Sequence, residues 1–423
     1  MSTTPSVADQ VAATQPSRTR TAQLSHISGF WSVAVAFLTL MAFGTVPTPL
    51  WPLYQARDHF GATTVTVAFA VMVVGAAASF LALGHLSDRM GRRRIIAPAL
   101  VVGIVAAVVL AASPSLTGLI IGRLLTGVAV GLMAATSTAY LSDLYRQAHP
   151  DRPASPTPAL VASVANLGGL ALGPVVAGAL TQWVRGPLST SYLVFAVAMT
   201  VLLFLVLLSP ETVDRTMRTQ DRPDRFRLRA GQRVAFGTAG VIGFFAFAVM
   251  GLFSSLGAIL VRGQLGITSQ FVVGLALFAS FGSSAVTQIA LGRLSQRPLL
   301  VTGTVMFPVG LALTAVSLYH PALSLFFVAA ILAGGGAGLL FKGAVTQTAI
   351  AAEPASRAGV LAVFFVIAYL GMGLPSIAFS VIIRHVPLAP TMIGFAIALS
   401  VGAAAAVITT IRADGRRPGR ANS

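Results

Sequence analysis

The chain contains no cysteine and very few charged residues. The absence of cysteine excludes disulfides, thiolate metal sites and catalysis by a thiol. Only 9% of the 423 residues are charged and 56% are hydrophobic, a composition that no soluble domain of this length needs. All 11 acidic residues lie in tails, in connections or at the ends of apolar runs. An intramembrane hydrolase needs carboxylates, a serine–histidine pair or metal ligands at depth, so we expect neither an enzyme nor a metal site.

Apolar runs fill most of the chain, and about twelve of them approach the roughly 20 residues that a membrane-spanning helix requires. They predict an all-α integral membrane protein with twelve transmembrane helices in two pseudo-symmetric bundles of six. Several connections are so short that neighbouring helices must be antiparallel. The predicted spans are residues 28–51, 65–86, 95–112, 116–142, 157–180, 190–209, 234–258, 271–292, 298–317, 322–347, 358–383 and 391–411.

A polar interval at residues 210–233 is the longest inside the chain and separates six apolar runs from six. It predicts an N-terminal bundle over 28–209 and a C-terminal bundle over 234–411. We interpret the interval as a cytoplasmic linker, with attachment to anionic headgroups as the alternative. Residues 1–27 are predicted to form a disordered cytoplasmic tail and residues 412–423 a second tail.

Positive charge is distributed unequally along a chain whose net charge is +17. Most basic residues fall on the side that both termini share, and the other side receives Arg57, Arg185, Arg262 and Arg384. Cytoplasmic loops of membrane proteins carry an excess of Lys and Arg, so we expect both termini in the cytoplasm and the protein in the cell membrane. The expected partners are the lipid bilayer and a small-molecule substrate, with no nucleic acid, and the expected state is a monomer.

Two sequence features occur twice at nearly the same separation. The charged turn 84–94 is repeated in shortened form at 292–297, 208 residues later. The glycine-rich segment 127–133 is repeated at 334–340, 207 residues later. The common offset predicts an internal duplication of the kind that builds many secondary transporters.

The first charged turn resembles the signature loop of the major facilitator superfamily, Gly-x-Leu-x-Asp-Arg-x-Gly-Arg-(Arg/Lys). The matching residues are Gly84, Leu86, Asp88, Arg89, Gly91, Arg92 and Arg93. The resemblance implies the major facilitator fold and a transporter without a bound cofactor, using the transmembrane proton gradient as its energy source.

Two further motifs resemble those of the twelve-helix drug/proton antiporter branch of that superfamily. The fourth run carries Arg123 followed by Thr126-Gly127, where the family often has glutamine in place of threonine. The fifth run carries the pattern of a helix-bend motif, with Ala177 replacing a usual glycine; its matching residues are Gly169, Gly173, Pro174 and Gly178. The resemblance implies that Arg123 and Gly127 line a central cavity, that Arg123 helps proton transfer, and that Pro174 permits a bend.

The resemblance also implies a conformational latch in which Asp88 meets Arg92 and Asp143. Asp143 lies twenty residues after Arg123, about 160° away around the helix, so it faces a neighbouring helix instead of the surroundings of Arg123. Gly84, Arg89 and Gly91 belong to the same turn. The alternative is a static surface ion pair, which is typically worth no more than about 1 kcal/mol.

Arg123 and Lys342 are the cations that lie within the apolar runs. Each either faces a central cavity or extends to a membrane interface with its charged end. A cavity lysine would hold an anionic cargo or change protonation when desolvated. Both alternatives remain open for Lys342, and the resemblance favours the cavity for Arg123.

Polar and aromatic stripes on three runs are candidates for the substrate cavity, although helix packing would explain them equally well. The residues selected are Asn166, Ser284, Gln288, Phe365 and Tyr369.

The sequence as a whole favours a secondary active transporter that exports small, largely apolar compounds by alternating access, in exchange for protons. The sequence contains no phosphate-binding Gly-Lys-Ser/Thr loop, so it gives no support to transport driven directly by ATP hydrolysis. Uptake or facilitated transport of a small organic anion is the alternative. That alternative depends on Arg123 and Lys342 facing a common central void.

Overall fold

The computed structural model describes residues 24–83, 90–152, 155–212 and 226–415, and helices dominate these ranges. The helices are α1 (His26–Thr45), α2 (Pro47–Asp58), α3 (Ala62–Leu83), α4 (Arg93–Ala112), α5 (Leu116–Ala148), α6 (Thr157–Ser163), α7 (Gly169–Trp183), α8 (Pro187–Leu208), α9 (Arg233–Gly263), α10 (Gln270–Ala290), α11 (Gln296–Tyr319), α12 (Leu323–Ala351), α13 (Arg357–Ile382) and α14 (Leu388–Gly415). Because α1 with α2, and α6 with α7, each form one segment, 12 segments among the described residues are long and apolar enough to cross a membrane. The predicted all-α fold with twelve transmembrane helices is confirmed.

The ends of the spans fall on two faces of the molecule, because short connections make successive spans antiparallel. We call the face where α1 begins at His26 and α14 ends at Gly415 the terminal face, and the other the opposite face. Serine side chains cap helices on both faces, as expected for a residue whose hydroxyl can accept a free backbone N–H. Ser25 accepts from the N–H of Ser28 at 3.2 Å and Ser115 accepts from that of Gly118 at 3.3 Å.

The first span is longer than the sequence predicted and consists of two helices. The junction is at Val46, and Pro47 occupies the first turn of α2, where a missing N–H costs nothing. Pro52 is accommodated inside α2, which ends at Asp58 and is followed by His59 with a φ of 56°. The span therefore reaches Asp58, whereas the apolar pattern had placed its end at residue 51.

The fifth span contains an irregularity that the sequence did not predict. A π-helical turn, Val164–Gly168, joins α6 to α7, while Pro174 lies inside the continuous α7. Such turns occur mostly as single insertions within α-helices and often at functional sites. The change of helical geometry therefore begins before the Gly-Pro motif.

Close helix contacts repeat between the two halves with the offset seen in the sequence. A Cβ atom on Gly127 of α5 would collide with the carbonyl oxygen of Met72 on α3. A Cβ atom on Gly334 of α12 would collide in the same way with the carbonyl oxygen of Ser280 on α10. The offsets, 207 and 208 residues, show that the same packing arrangement was duplicated.

The two halves meet closely at the opposite face. The hydroxyls of Thr66 on α3 and Ser380 on α13 lie 2.7 Å apart, and both side chains are buried. A Cβ on Gly178 of α7 would approach the carbonyl oxygen of Gln270 on α10 to 2.6 Å. The structure is therefore closed between the halves at this face.

The end of the predicted linker attaches to the second half. Leu228 forms an isolated antiparallel bridge with Ala352, and the N–H of Arg229 donates to the carbonyl oxygen of Ala351 at 2.9 Å. These contacts join residues just before α9 to the end of α12 at the terminal face. Residues 1–23 of the predicted tail 1–27, residues 213–225 of the predicted linker and residues 416–423 of the predicted second tail lie outside the described residues.

Candidate functional site

A small cavity of about 30 Å³ lies between the two halves, partway along the spans. Leu167 and Leu170 line it from the first half. The second half contributes more of the wall, with Phe247, Met250, Phe281, Ser284, Phe341 and Met372. The lining carries no ionisable side chain, so the cavity favours an uncharged, apolar molecule.

Two of the predicted cavity residues lie on α10 at this wall. Ser284 lines the cavity directly, and Gln288 lies one turn further along the helix. The amide Nε2 of Gln288 donates to Ser284 Oγ at 3.4 Å. Asn166 is half-buried in the π-helical turn beside Leu167 and is not part of the lining. The side chains of Ser284 and Gln288 at this wall are thus neutral.

The predicted aromatic residues lie in a cluster behind this wall. Phe365 stacks on Phe80 of the first half, with ring centroids 5.0 Å apart and planes inclined by 7°. Tyr369 lies 5.5 Å from Phe80 and 5.6 Å from the cavity-lining Phe247, measured between ring centroids. Sequence reasoning missed Phe80, because nothing local in α3 marks which face meets the other half.

Arg123 is not among the residues that line this cavity, and its role in a central cavity stays a prediction. It is buried inside the first half, with 1% of its surface exposed. Its Nη1 donates to the carbonyl oxygen of Gly44 at 2.9 Å and its Nη2 contacts Met72 Sδ at 2.9 Å. The rings of Trp51 and Phe69 lie 5.8 and 5.9 Å from the guanidinium carbon and compensate part of its lost hydration by cation–π attraction.

Trp51 connects the surroundings of Arg123 to the second half. Its indole Nε1 donates to the carbonyl oxygen of Ser254 on α9 at 3.1 Å, and the ring is fully buried. Because the same ring contacts the Arg123 guanidinium, this arginine is one residue away from the seam between the halves. Gly127, whose place in the cavity stays a prediction, allows the close packing of α5 on α3.

Lys342 also lies away from the cavity lining. Its Nζ donates to the carbonyl oxygen of Gln288 at 2.8 Å, near the end of α10 at the terminal face. A lysine at the last carbonyls of a helix is stabilised by the helix dipole, which explains this position. Neither Arg123 nor Lys342 is among the residues that line this cavity, so the cavity itself gives no support to the anion alternative.

The glycines of the fifth span are contact points. Cβ atoms on Gly169 and Gly173 would collide with the backbone of α1, and one on Gly178 would approach the backbone of α10 across the seam. Conversely, a Cβ on Gly274 of α10 would collide with the carbonyl oxygen of Pro174. This motif therefore brings the first and fifth spans together and joins the two halves.

Part of the predicted latch lies at the terminal face. Arg92 Nε is 3.3 Å from Asp143 Oδ2, and Arg146 on the following turn of α5 pairs with the other oxygen of Asp143. The remaining latch residues, Gly84, Asp88 and Arg89, lie outside the described residues.

Glu211 is a member of this ionic network that sequence reasoning missed. Its carboxylate accepts the backbone N–H groups of Arg92 at 2.9 Å and Arg93 at 3.2 Å, at the start of α4. A carboxylate is favoured there because helix N-termini carry free N–H groups and a partial positive charge. Gly91 has a φ of 105°, and a Cβ on it would lie 2.5 Å from Glu211 Oε2. The signal in the sequence that could have revealed Glu211 is an acid directly after Pro210, in the segment interpreted as the linker.

The second charged turn, residues 292–297, is held by a neutral side chain. Gln296, which occupies the position of Asp88 in the repeat, donates from Nε2 to the carbonyl oxygen of Gly343 at 2.8 Å. This neutral contact cannot titrate.

Two helical bundles that close on an apolar cavity are the architecture of a membrane carrier. The family model described as Major Facilitator Superfamily matches residues 33–376. The chain therefore belongs to the major facilitator superfamily, as the charged turn had indicated.

Among curated relatives, the chain is 29% identical to the multidrug resistance protein MdtL of Escherichia coli K12 over 283 residues, covering 64% of this chain and 68% of MdtL. It is 42% identical to the glucose transporter GlcP of Staphylococcus epidermidis over only 82 residues, covering 19% of this chain and 18% of GlcP. The match thus spans less than a fifth of GlcP and about two thirds of MdtL.

Solved structures share the fold at low sequence identity. The human organic anion transporter MFSD10 (TETRAN) superposes with a TM-score of 0.67 at 16% identity, covering 92% of this chain and 100% of that one. The nucleoside transporter NupG superposes with a TM-score of 0.71 at 13% identity, covering 90% of this chain and 99% of that one. At these identities the likeness shows the fold alone.

Proposed function

We propose that the protein is a secondary transporter that exports small, largely apolar compounds by alternating access. The observation that carries the proposal is the cavity between the halves, whose lining is apolar and aromatic apart from Ser284. Burial of apolar surface contributes roughly 25 cal/mol per Å², so such a lining binds apolar cargo without a fixed charge. The partial match to MdtL, a multidrug resistance protein, supports the same substrate class.

The proposed orientation places the terminal face in the cytoplasm of the cell membrane. The uneven distribution of arginine supports it, since positive residues concentrate on the cytoplasmic side of membrane proteins. Closure at the opposite face then corresponds to a state closed towards the exterior.

Protons are the proposed exchange ion, with the acids of the terminal face as their carriers. Asp88 and Asp143 are the proposed groups, and Glu211 lies in the same network as Asp143 through Arg92. A change of charge there would alter the contacts of the Arg92 guanidinium at the terminal face, where the halves have to separate and close during alternating access.

The test uses purified protein in proteoliposomes with an imposed pH gradient, following an uncharged lipophilic dye and proton flux together. Dye-dependent proton flux that disappears in Asp88→Asn is expected. Dye movement without proton flux would reject proton exchange, and movement of organic anions alone would reject the apolar substrate class in favour of anion transport.

The cavity itself is tested with Phe341→Ala, which removes an aromatic wall. We expect the KM for the dye to rise about tenfold, which corresponds to 1.4 kcal/mol of lost binding. Phe204→Ala is the matched control, because Phe204 is 62% exposed on the outside of α8. Equal effects of the two changes would contradict the assignment of the cavity.

A further inference from the structure

An open groove on the outside of the second half runs between α9 and α14 at the terminal face and has a volume of about 470 Å³. Its walls are formed largely by small residues, among them Gly237, Gly402, Ala405 and Ala406, with Phe245 at its inner end. Small residues leave room for a chain to lie between two helices. The groove is separate from the cavity between the halves, which α14 does not line.

The length of the groove matches one leaflet of a bilayer. Its lining on α9 extends from Val234 to Phe245, eleven residues along the helix and about 16 Å. Half of the hydrocarbon core of a bilayer is about 15 Å thick. A single acyl chain entering from the terminal face would therefore fill the groove to its inner end.

Two arginines lie at the mouth of the groove. Arg233 is one helical turn before Gly237, and Arg412 is three residues after Thr409, so both continue the faces that line it. Both side chains are exposed, and neither takes part in an ion pair among the described residues. The mouth therefore presents positive charge where the headgroup of a lipid in the groove would lie.

The corresponding seam of the first half is closed, so the groove is not a necessary result of the fold. Gly29 on α1 lies 208 residues before Gly237, and a Cβ on it would be 3.1 Å from Pro210 Cδ. The N–H of Leu24 also donates to the carbonyl oxygen of Leu208 across that seam at 2.9 Å. A Cβ on Gly237, in contrast, would have nothing within 4 Å.

We propose that this groove is a binding site for an anionic glycerophospholipid. One acyl chain lies between α9 and α14, and the phosphate lies between Arg233 and Arg412. Arginine pairs with phosphate through charge-assisted hydrogen bonds. Basic sites between transmembrane helices bind anionic lipid headgroups on this principle. The site is independent of the transported substrate, and it holds even if the proposed cargo is wrong.

The test is native mass spectrometry of the full chain in detergent, with equal amounts of dioleoyl phosphatidylglycerol and dioleoyl phosphatidylcholine added. We expect one phosphatidylglycerol to be retained with a preference of about thirtyfold, given two arginines near the phosphate. Arg233→Gln with Arg412→Gln should remove the preference. Arg293→Gln with Arg297→Gln is the matched control, since both of these arginines are exposed at the same face.

The groove is tested separately by filling it. Gly237→Phe has open space for its Cβ and replaces glycine in a helix, so the variant is expected to fold and to lose the bound lipid. Gly394→Phe is the control, because Gly394 is also exposed on a spanning helix with nothing within 4 Å, at the other end of α14. Equal retention of the two lipids, or equal loss in the two phenylalanine variants, would reduce the site to ordinary lipid contact and overturn the proposal.

Discussion

The two halves share their helix packing but differ in what their polar groups do. In the first half a buried arginine, Arg123, contacts Trp51 at the seam, and Asp143 and Glu211 hold the start of α4. In the second half Gln296 and Lys342 each donate to a backbone carbonyl oxygen. The glycine contacts were kept after duplication while the polar positions diverged. The first half thus contains the ionic network, and the second supplies most of the cavity wall.

The largest expected effect is on transport and compares the two intramembrane cations. Arg123→Met removes the charge that contacts Trp51, the residue that hydrogen-bonds to Ser254 across the seam. We expect the transport rate in proteoliposomes to fall at least about tenfold, or 1.4 kcal/mol. Lys342→Met, which removes only a helix-end contact, should change it by less than about threefold. Equal losses would contradict the different roles assigned to the halves.

The next effect compares two glycines with positive φ. Gly91→Ala forces a side chain into a φ of 105° and against Glu211, whereas Gly231→Ala meets strain alone at a φ of 73°. Backbone strain of this kind costs about 1–3 kcal/mol. Gly91→Ala should therefore lower the free energy of unfolding by about 2 kcal/mol more than an unstrained change. Its loss of stability should also be larger than that caused by Gly231→Ala. Thermal unfolding in detergent measures the order, and a larger loss for Gly231→Ala would show that Glu211 is not closely held.

A smaller effect compares two acids at the terminal face. Glu211→Gln weakens two hydrogen bonds to helix N–H groups and should cost about 1 kcal/mol. Glu353→Gln removes a 3.3 Å ion pair with Arg227, whose side chain is 63% exposed, and should cost about 0.5 kcal/mol or less. The unfolding midpoints of both variants decide the comparison. A neutral result for Glu211→Gln would remove it from the network.

The fold was readily predicted because spanning a bilayer imposes length and hydrophobicity on each helix. The site was less predictable because a helix face is defined by its neighbours. The resemblance implied a cavity role for Arg123, but its position in one helix does not reveal its partners Gly44 and Met72, which come from two other spans. Glu211 meets Arg92 across 119 residues of chain, a distance over which no local pattern carries information. The duplication was predictable because glycine packing repeats in sequence as well as in space.

Alternating access, the central claim, requires the halves to separate at the opposite face. Because the chain has no cysteine, Thr66→Cys with Ser380→Cys introduces one unambiguous pair in a background free of other thiols. The native hydroxyls are 2.7 Å apart, so the two sulfurs lie close enough to form a disulfide without moving the halves. We expect oxidation to stop transport in proteoliposomes, reduction to restore it, and each single variant to transport under both conditions. Undiminished transport by the oxidised, cross-linked protein would contradict the account.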